Sequence, residues 1–187
     1  MKKFKAMVGT VLSVAAFVAF LAVFSLLVRY IDRTPVLPPI IPAGTAVFLG
    51  AAAGLIGLFW VTWAYGYLLF IGRGSPAELF GMALLPTRQL VMCGPYAYTR
   101  NPMMFGMLWL VLGIALYRRS LTGILLVPLL TLLVVAYLKL FEEPGLERRF
   151  GGEYHQYRQR VPLVFPHFHA IVTGEPEDSC GSPKTGG

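Results

Sequence analysis

Residues 101–143 read NPMMFGMLWLVLGIALYRRSLTGILLVPLLTLLVVAYLKLFEE, and this stretch decides the fold. Asn101 to Tyr117 and Ser120 to Leu138 are uncharged runs, interrupted only by Arg118 and Arg119. The hydrocarbon core of a bilayer is about 30 Å thick and takes about 20 apolar residues as a helix. The runs therefore predict two membrane spans, 102–117 and 120–141, joined by a tight turn into a helical hairpin. Pro128 predicts a kink in the second, which a membrane helix tolerates where neighbours satisfy the freed carbonyl.

Upstream, the same logic finds two more spans. Residues 6–28 carry no charge and would extend roughly 34 Å as a helix, enough to cross a bilayer. Lys2, Lys3 and Lys5 before them also suit a signal peptide. The run, however, exceeds the roughly 7–15 apolar residues of a signal core and ends in Val28-Arg29-Tyr30-Ile31-Asp32, without a small-residue cleavage site. A proline-rich linker from Thr34 to Pro42 stops the helix. Residues 43–71 form the second span, where Gly50-Ala51-Ala52-Ala53-Gly54 is a small-xxx-small pattern that lets two helix backbones approach closely. Such a stripe serves contacts within the chain or between chains, and contacts within the chain are the expectation here.

The whole composition agrees. With 56% hydrophobic and 13% charged residues among 187, the chain falls well below the roughly 25% charge of soluble domains. The fold class is therefore all-α and integral to the membrane. Residues 1–172 form one domain of about four spans, with a polar, Gly/Pro-rich tail at 173–187 expected to be disordered. The formal charge of +7 would raise nucleic acid as a partner for a soluble protein, but here the membrane surface is the better reading. Four spans put both termini on one side. That side holds Lys2, Lys3, Lys5, Arg73, Arg88, Arg100, Lys139, Arg148, Arg149, Arg158, Arg160 and Lys184, against Arg29, Arg33, Arg118 and Arg119 opposite, so the termini are expected in the cytoplasm. Cys93 and Cys180 match no metal or redox spacing, and His155, His167 and His169 form no convincing ligand set, so no metal is expected.

Chemistry-bearing residues collect at the cytoplasmic ends of the hairpin. Arg100 stands at the start of the third span, and Glu142 and Glu143 at the exit of the fourth, so a short hairpin brings them together. Carboxylates at a membrane boundary are costly unless hydrated or paired, which makes them site candidates. Beyond them Leu146, Phe150, Tyr154, Tyr157 and Val161 recur at helical spacing among Arg148, Arg149, Arg158 and Arg160. This predicts an amphipathic cytoplasmic helix over 145–161, bent or divided at Gly151-Gly152.

The two segments together resemble the isoprenylcysteine carboxyl methyltransferase family, and the related membrane phospholipid methyltransferases. The resemblance lies in Gly94-Pro95-Tyr96, Arg100-Asn101-Pro102-Met103-Met104-Phe105-Gly106, the hairpin, then Glu142-Glu143, Leu146, Phe150-Gly151, Tyr154, Tyr157 and Val161-Pro162. Asn101 stands where that family usually has His and Met104 where it usually has Tyr, the R-N-P-M form of a bacterial-type branch. Asn keeps a hydrogen-bonding head but does not titrate near neutrality.

The resemblance implies transfer of a methyl group from S-adenosylmethionine to a lipophilic acceptor, an isoprenylcysteine-like carboxylate, at the cytoplasmic face of a bacterial inner membrane. It implies a cofactor pocket of Tyr96, Tyr98, Arg100, Asn101, Pro102, Glu142, Glu143, Tyr154 and Tyr157, with Arg100 and Glu143 as catalytic candidates. A guanidinium suits the cofactor's carboxylate, and acids suit its cations. Glu153 and Arg158 would belong to the segment that closes the pocket, and Lys139 would stand near the acids; for Trp60, Trp63 and Trp109 lipid-facing or packing roles are the expectation, with lining a lipid route the alternative. The alternatives are a phospholipid or other lipid amine as acceptor, or a non-catalytic assembly or lipid-binding module. A transporter fits less well, because no span before Tyr137 carries an acid or a lysine.

Overall fold

The computed structural model describes residues 2–33, 41–72, 78–79, 82–83 and 90–167. The expected tail at 173–187, and Arg73 and Arg88 of the loop after the second span, lie outside them. Helices dominate: α1 (Lys2–Ile31), α2 (Ala43–Phe70), α3 (Pro102–Tyr117), α4 (Leu121–Tyr137), α5 (Glu143–Phe150) and α6 (Gly152–Arg160). A two-residue antiparallel pairing of Glu78–Leu79 with Met82–Ala83 is the one departure among the described residues.

Three stretches are long and apolar enough to cross a membrane: Val8–Ile31, Ala43–Phe70 and Leu121–Phe150. α3 is equally apolar but has 16 residues. Large side chains that would be unwelcome in water, such as Phe48 at 72% exposure and Leu55 at 67%, point outward from α2, as a lipid-facing surface requires.

The frame is the pairing of α2 with α3, the most extensive helix contact in the molecule. It depends on absent side chains. A Cβ at Gly57 would lie 2.6 Å from the Gly106 carbonyl oxygen, and one at Gly113 would lie 2.9 Å from the Gly50 carbonyl oxygen. The small-residue stripe of α2 is therefore spent inside the chain, because lipid tails offer no hydrophobic drive and close packing must hold the helices. α1 leans on this pair through Phe24 and Val28, which bury against Val111 of α3.

The end of the molecule opposite the charged cluster is fastened by polar contacts. Ser120 caps α4 by accepting from the Gly123 amide (2.9 Å) and donates to Asp32 Oδ1 at the end of α1 (2.8 Å). Arg119, left-handed at φ 57°, donates through Nε to the Ile41 carbonyl at 2.8 Å. The hairpin tip thus ties down both the exit of α1 and the start of α2.

The other end is built from short helical pieces. The amphipathic segment expected over 145–161 is divided at Gly151, one of the two glycines expected to bend or divide it: Gly151 adopts φ 54° and separates α5 from α6. The fourth span does not pass directly into α5 but through a π-helical turn, Leu138–Glu142, in which the Glu143 amide donates to the Leu138 carbonyl five residues back.

The packing makes a direct prediction. Gly57→Ala and Gly106→Ala are each expected to lower the melting temperature in detergent, through overpacking worth about 1–3 kcal/mol. Gly54→Ala, where a Cβ would meet nothing within 4 Å, should leave it unchanged. Equal losses at all three positions would contradict the packing described.

Candidate active site

Arg100 leaves the chain just before α3, where Pro102 starts the helix and a 3-10 turn over Gly94–Ala97 sets the approach. Its guanidinium lies inside the protein, with the side chain 9% exposed, and meets a Glu143 carboxylate that is 5% exposed. Nη1 donates to Glu143 Oε1 and, at 3.2 Å, to the Tyr154 hydroxyl. Nε donates to the Val161 carbonyl at 2.9 Å. None of these bonds uses Nη2.

Adjacent residues of a helix point about 100° apart, and the π-helical turn sets which of the two acids faces inward. A π turn inserts one residue into the helical repeat and rotates everything after it. Glu143 consequently turns into the protein toward Arg100, while Glu142 lines the neighbouring pocket. Pro144 follows in the first turn of α5, where the amide that proline lacks is least needed. Arg158 on α6 approaches Glu143 Oε2 at 3.9 Å and Glu147 Oε2 at 3.7 Å, but at 45% exposure it adds a solvent-screened contact.

The pocket is an open-mouthed cavity of about 150 Å³. Its polar wall is Tyr96, Arg100, Asn101, Glu142, Tyr154 and Tyr157. Its apolar wall is Leu68, Leu90, Val91, Met103, Met104 and Leu146, with Pro102 between the two. Seven of the residues expected from sequence therefore share one cavity: Tyr96, Arg100, Asn101, Pro102, Glu142, Tyr154 and Tyr157. Glu143 stands behind the wall as the partner of Arg100. Tyr98 also lies off the wall, its ring against Trp60 and Trp63 (centroids 6.4 and 6.1 Å) and its carbonyl accepting from the His167 amide at 3.0 Å.

The tryptophans take packing positions. Trp60, 7% exposed, packs edge-on against Phe105 of α3 (5.1 Å), and Trp109 packs against the same ring (6.2 Å). Together with Trp63 they belong to an aromatic cluster that joins α2 to α3, and none of them lines the pocket. The apolar wall carries no comparable signal in the sequence, since Leu68 and Leu146 look like any other membrane leucine.

The three pocket phenols resist ionisation. Burial, reinforced by the negative charge of Glu142, pushes Tyr96 above its ordinary value. Burial pushes Tyr154 up to about 12, with Arg100 opposing and Glu143 reinforcing, and it raises Tyr157 as well. Tyr157 donates to the Tyr96 carbonyl at 2.7 Å. Near neutral pH all three are hydrogen-bonding hydroxyls rather than bases.

The phospholipid methyltransferase family model matches residues 45–153, more than half of the chain, so the chain belongs to that family. No curated protein and no solved structure matches it. The family match runs from α2 into the first turn of α6 and includes Arg100, Glu142 and Glu143. The protein is accordingly a membrane methyltransferase acting on lipid-type substrates, rather than a transporter.

Two outcomes follow from the geometry. Because a raised phenol pKa stabilises the fold below the unfolded value near 10 and loses that contribution as pH rises through the folded value, the part linked to Tyr154 should persist to pH 10 and fade toward about pH 12. Phenolate absorbance followed against melting temperature checks this, and ionisation of these tyrosines below pH 10 in folded protein would contradict it. For the ion pair, Glu143→Gln should cost about 3–5 kcal/mol of stability, because it strands a buried guanidinium. The double variant Arg100→Met/Glu143→Leu should recover part of that loss in thermal denaturation.

Proposed function

We propose that the protein is an integral membrane methyltransferase dependent on S-adenosylmethionine. α1, α2, α3 and α4 are its four spans, and the termini and pocket face the cytoplasm of a bacterial cell. The short α3, roughly 24 Å long, is matched to the bilayer by local thinning at the hairpin tip, where Arg118 and Arg119 mark the far interface. α5 and α6, carrying Arg148, Arg149, Arg158 and Arg160, lie along the cytoplasmic interface.

The observation that carries this reading is one cavity with a charged polar wall and an apolar wall at the base of the hairpin. The donor set suits the cofactor, which carries a carboxylate, an ammonium, a sulfonium and an adenosine. Arg100, held at Nε and Nη1, would hold the carboxylate, Glu142 would meet the cationic portion, and Tyr96, Tyr154 and Tyr157 would offer neutral hydroxyls. When bound, the cofactor supplies an electrophilic methyl group. The chain itself positions the reactants and excludes water, which suffices for an in-line displacement by an acceptor that is already anionic.

The acceptor is lipophilic and reaches the pocket from the bilayer past Leu68, Met103 and Met104. An isoprenylcysteine-like carboxylate needs no base, which agrees with phenols that stay protonated. The family match favours a second reading, in which a phospholipid amine is methylated.

Protein in lipid nanodiscs, supplied with methyl-labelled S-adenosylmethionine and either an S-prenylated N-acetylcysteine or phosphatidylethanolamine, separates these readings. The expected result is label on the prenylated acid that alkali releases as methanol, as an ester requires. Alkali-stable label on phosphatidylethanolamine would transfer the assignment to lipid amines. No label on either, from protein with an unchanged melting temperature, would favour a non-catalytic lipid-binding module.

A further inference from the structure

Three consecutive residues hold four consecutive carbonyls of the strap formed by residues 161–167. Arg100 donates through Nε to Val161 and through its amide to Pro162, each at 2.9 Å. Asn101 Nδ2 donates to Leu163 at 3.0 Å. The Thr99 hydroxyl donates to Val164 at 2.9 Å, with the Leu163 carbonyl at 3.2 Å, and accepts from the Asn101 amide at 3.3 Å. Thr99 is fully buried, and Val164, 2% exposed, is anchored among Leu108, Val134 and Leu138 between α3 and α4.

We propose that Thr99 is a positioning residue for Arg100. It acts by fixing the strap whose Val161 carbonyl orients the guanidinium. Arg100 is held from two sides: Glu143 and Tyr154 grip Nη1, and the strap grips Nε. A planar guanidinium fixed at only one side can pivot about that contact, and its remaining donors then lose their aim. Thr99 controls the second side because its hydroxyl satisfies a buried carbonyl that has no water to turn to. Its hydroxyl is also a partner of the Asn101 amide, so losing it loosens the motif and the strap together. Asn101, at the position where the resembling family has His, contributes the third tether as an amide donor, a role that needs no titratable ring.

The binding part of this inference rests on the pocket being the cofactor site, so the test has two readouts. The first needs no cofactor. In nitrogen-15 spectra of the detergent-solubilised full chain, the Arg100 Nε–H signal, assigned by its loss in Arg100→Lys, should be sharp and slow to exchange with water. Thr99→Val, which keeps the shape and removes the hydroxyl, should broaden it or speed its exchange. Thr99→Ser, which keeps the hydroxyl and gives up a buried methyl, should restore it. The second readout is affinity for S-adenosylhomocysteine, expected to weaken about tenfold in Thr99→Val, the order of one lost hydrogen bond to a charged group. Thr99→Ser should stay close to the original even though its melting temperature falls.

A merely structural role would make affinity follow melting temperature, with Ser and Val equally impaired, and that result overturns the proposal. An unchanged Arg100 signal in folded Thr99→Val overturns it as well. If the unsubstituted protein shows the protected signal but binds no S-adenosylhomocysteine, the cofactor reading fails, and the Arg100 signal alone decides the role of Thr99.

Discussion

The buried pair of Arg100 and Glu143 is the constraint around which the cytoplasmic end is organised. Removing two charges from water costs several kcal/mol each, and their attraction repays that only when the remaining donors and acceptors are also satisfied. The surroundings supply this: Tyr154 shares Nη1, the Val161 carbonyl takes Nε, and Arg158 approaches the second carboxylate oxygen. Tyr154 and Arg158 come from α6, and Val161 from the strap after it. The pair therefore joins the start of α3, the exit of α4, the helix α6 and the strap after it, alongside the hydrogen bonds made by Thr99, Asn101 and Tyr157.

A purely apolar contact of the same volume would serve stability as well or better. The ion pair instead keeps a guanidinium rigid beside a cavity that holds a carboxylate, three un-ionised phenols and an apolar wall. Methyl transfer asks little of a protein by way of proton movement and much by way of alignment. An arrangement that fixes a cation from two sides matches that need, and the close α2–α3 packing at Gly57 and Gly106 gives it a stiff support within the membrane.

Much of this was legible in the sequence because it follows from composition and spacing. The uncharged runs marked the helices, Arg118 and Arg119 marked the turn, and the hairpin's length put Arg100 beside Glu142 and Glu143. What could not be read was rotation. Nothing in Leu138-Lys139-Leu140-Phe141-Glu142 announces a π turn, so the division of the two acids between pocket and ion pair appears only in three dimensions. The aromatics left their roles open for a related reason: tryptophan suits interfaces, packing and lipid routes alike, and spacing alone cannot say which face it meets. Thr99 escaped notice because its role lies in carbonyls more than 60 residues away.

The central claim is that this cavity takes the methyl donor through the residues of its polar wall. Isothermal titration of the detergent-purified chain with S-adenosylhomocysteine, beside Glu142→Gln, tests it most directly, since Glu142 lines the cavity without belonging to the Arg100–Glu143 pair. The account predicts saturable binding that weakens at least about tenfold in the folded variant, the loss of one charge-assisted contact. Absence of binding by folded protein, or equal affinity in the two proteins, would contradict it.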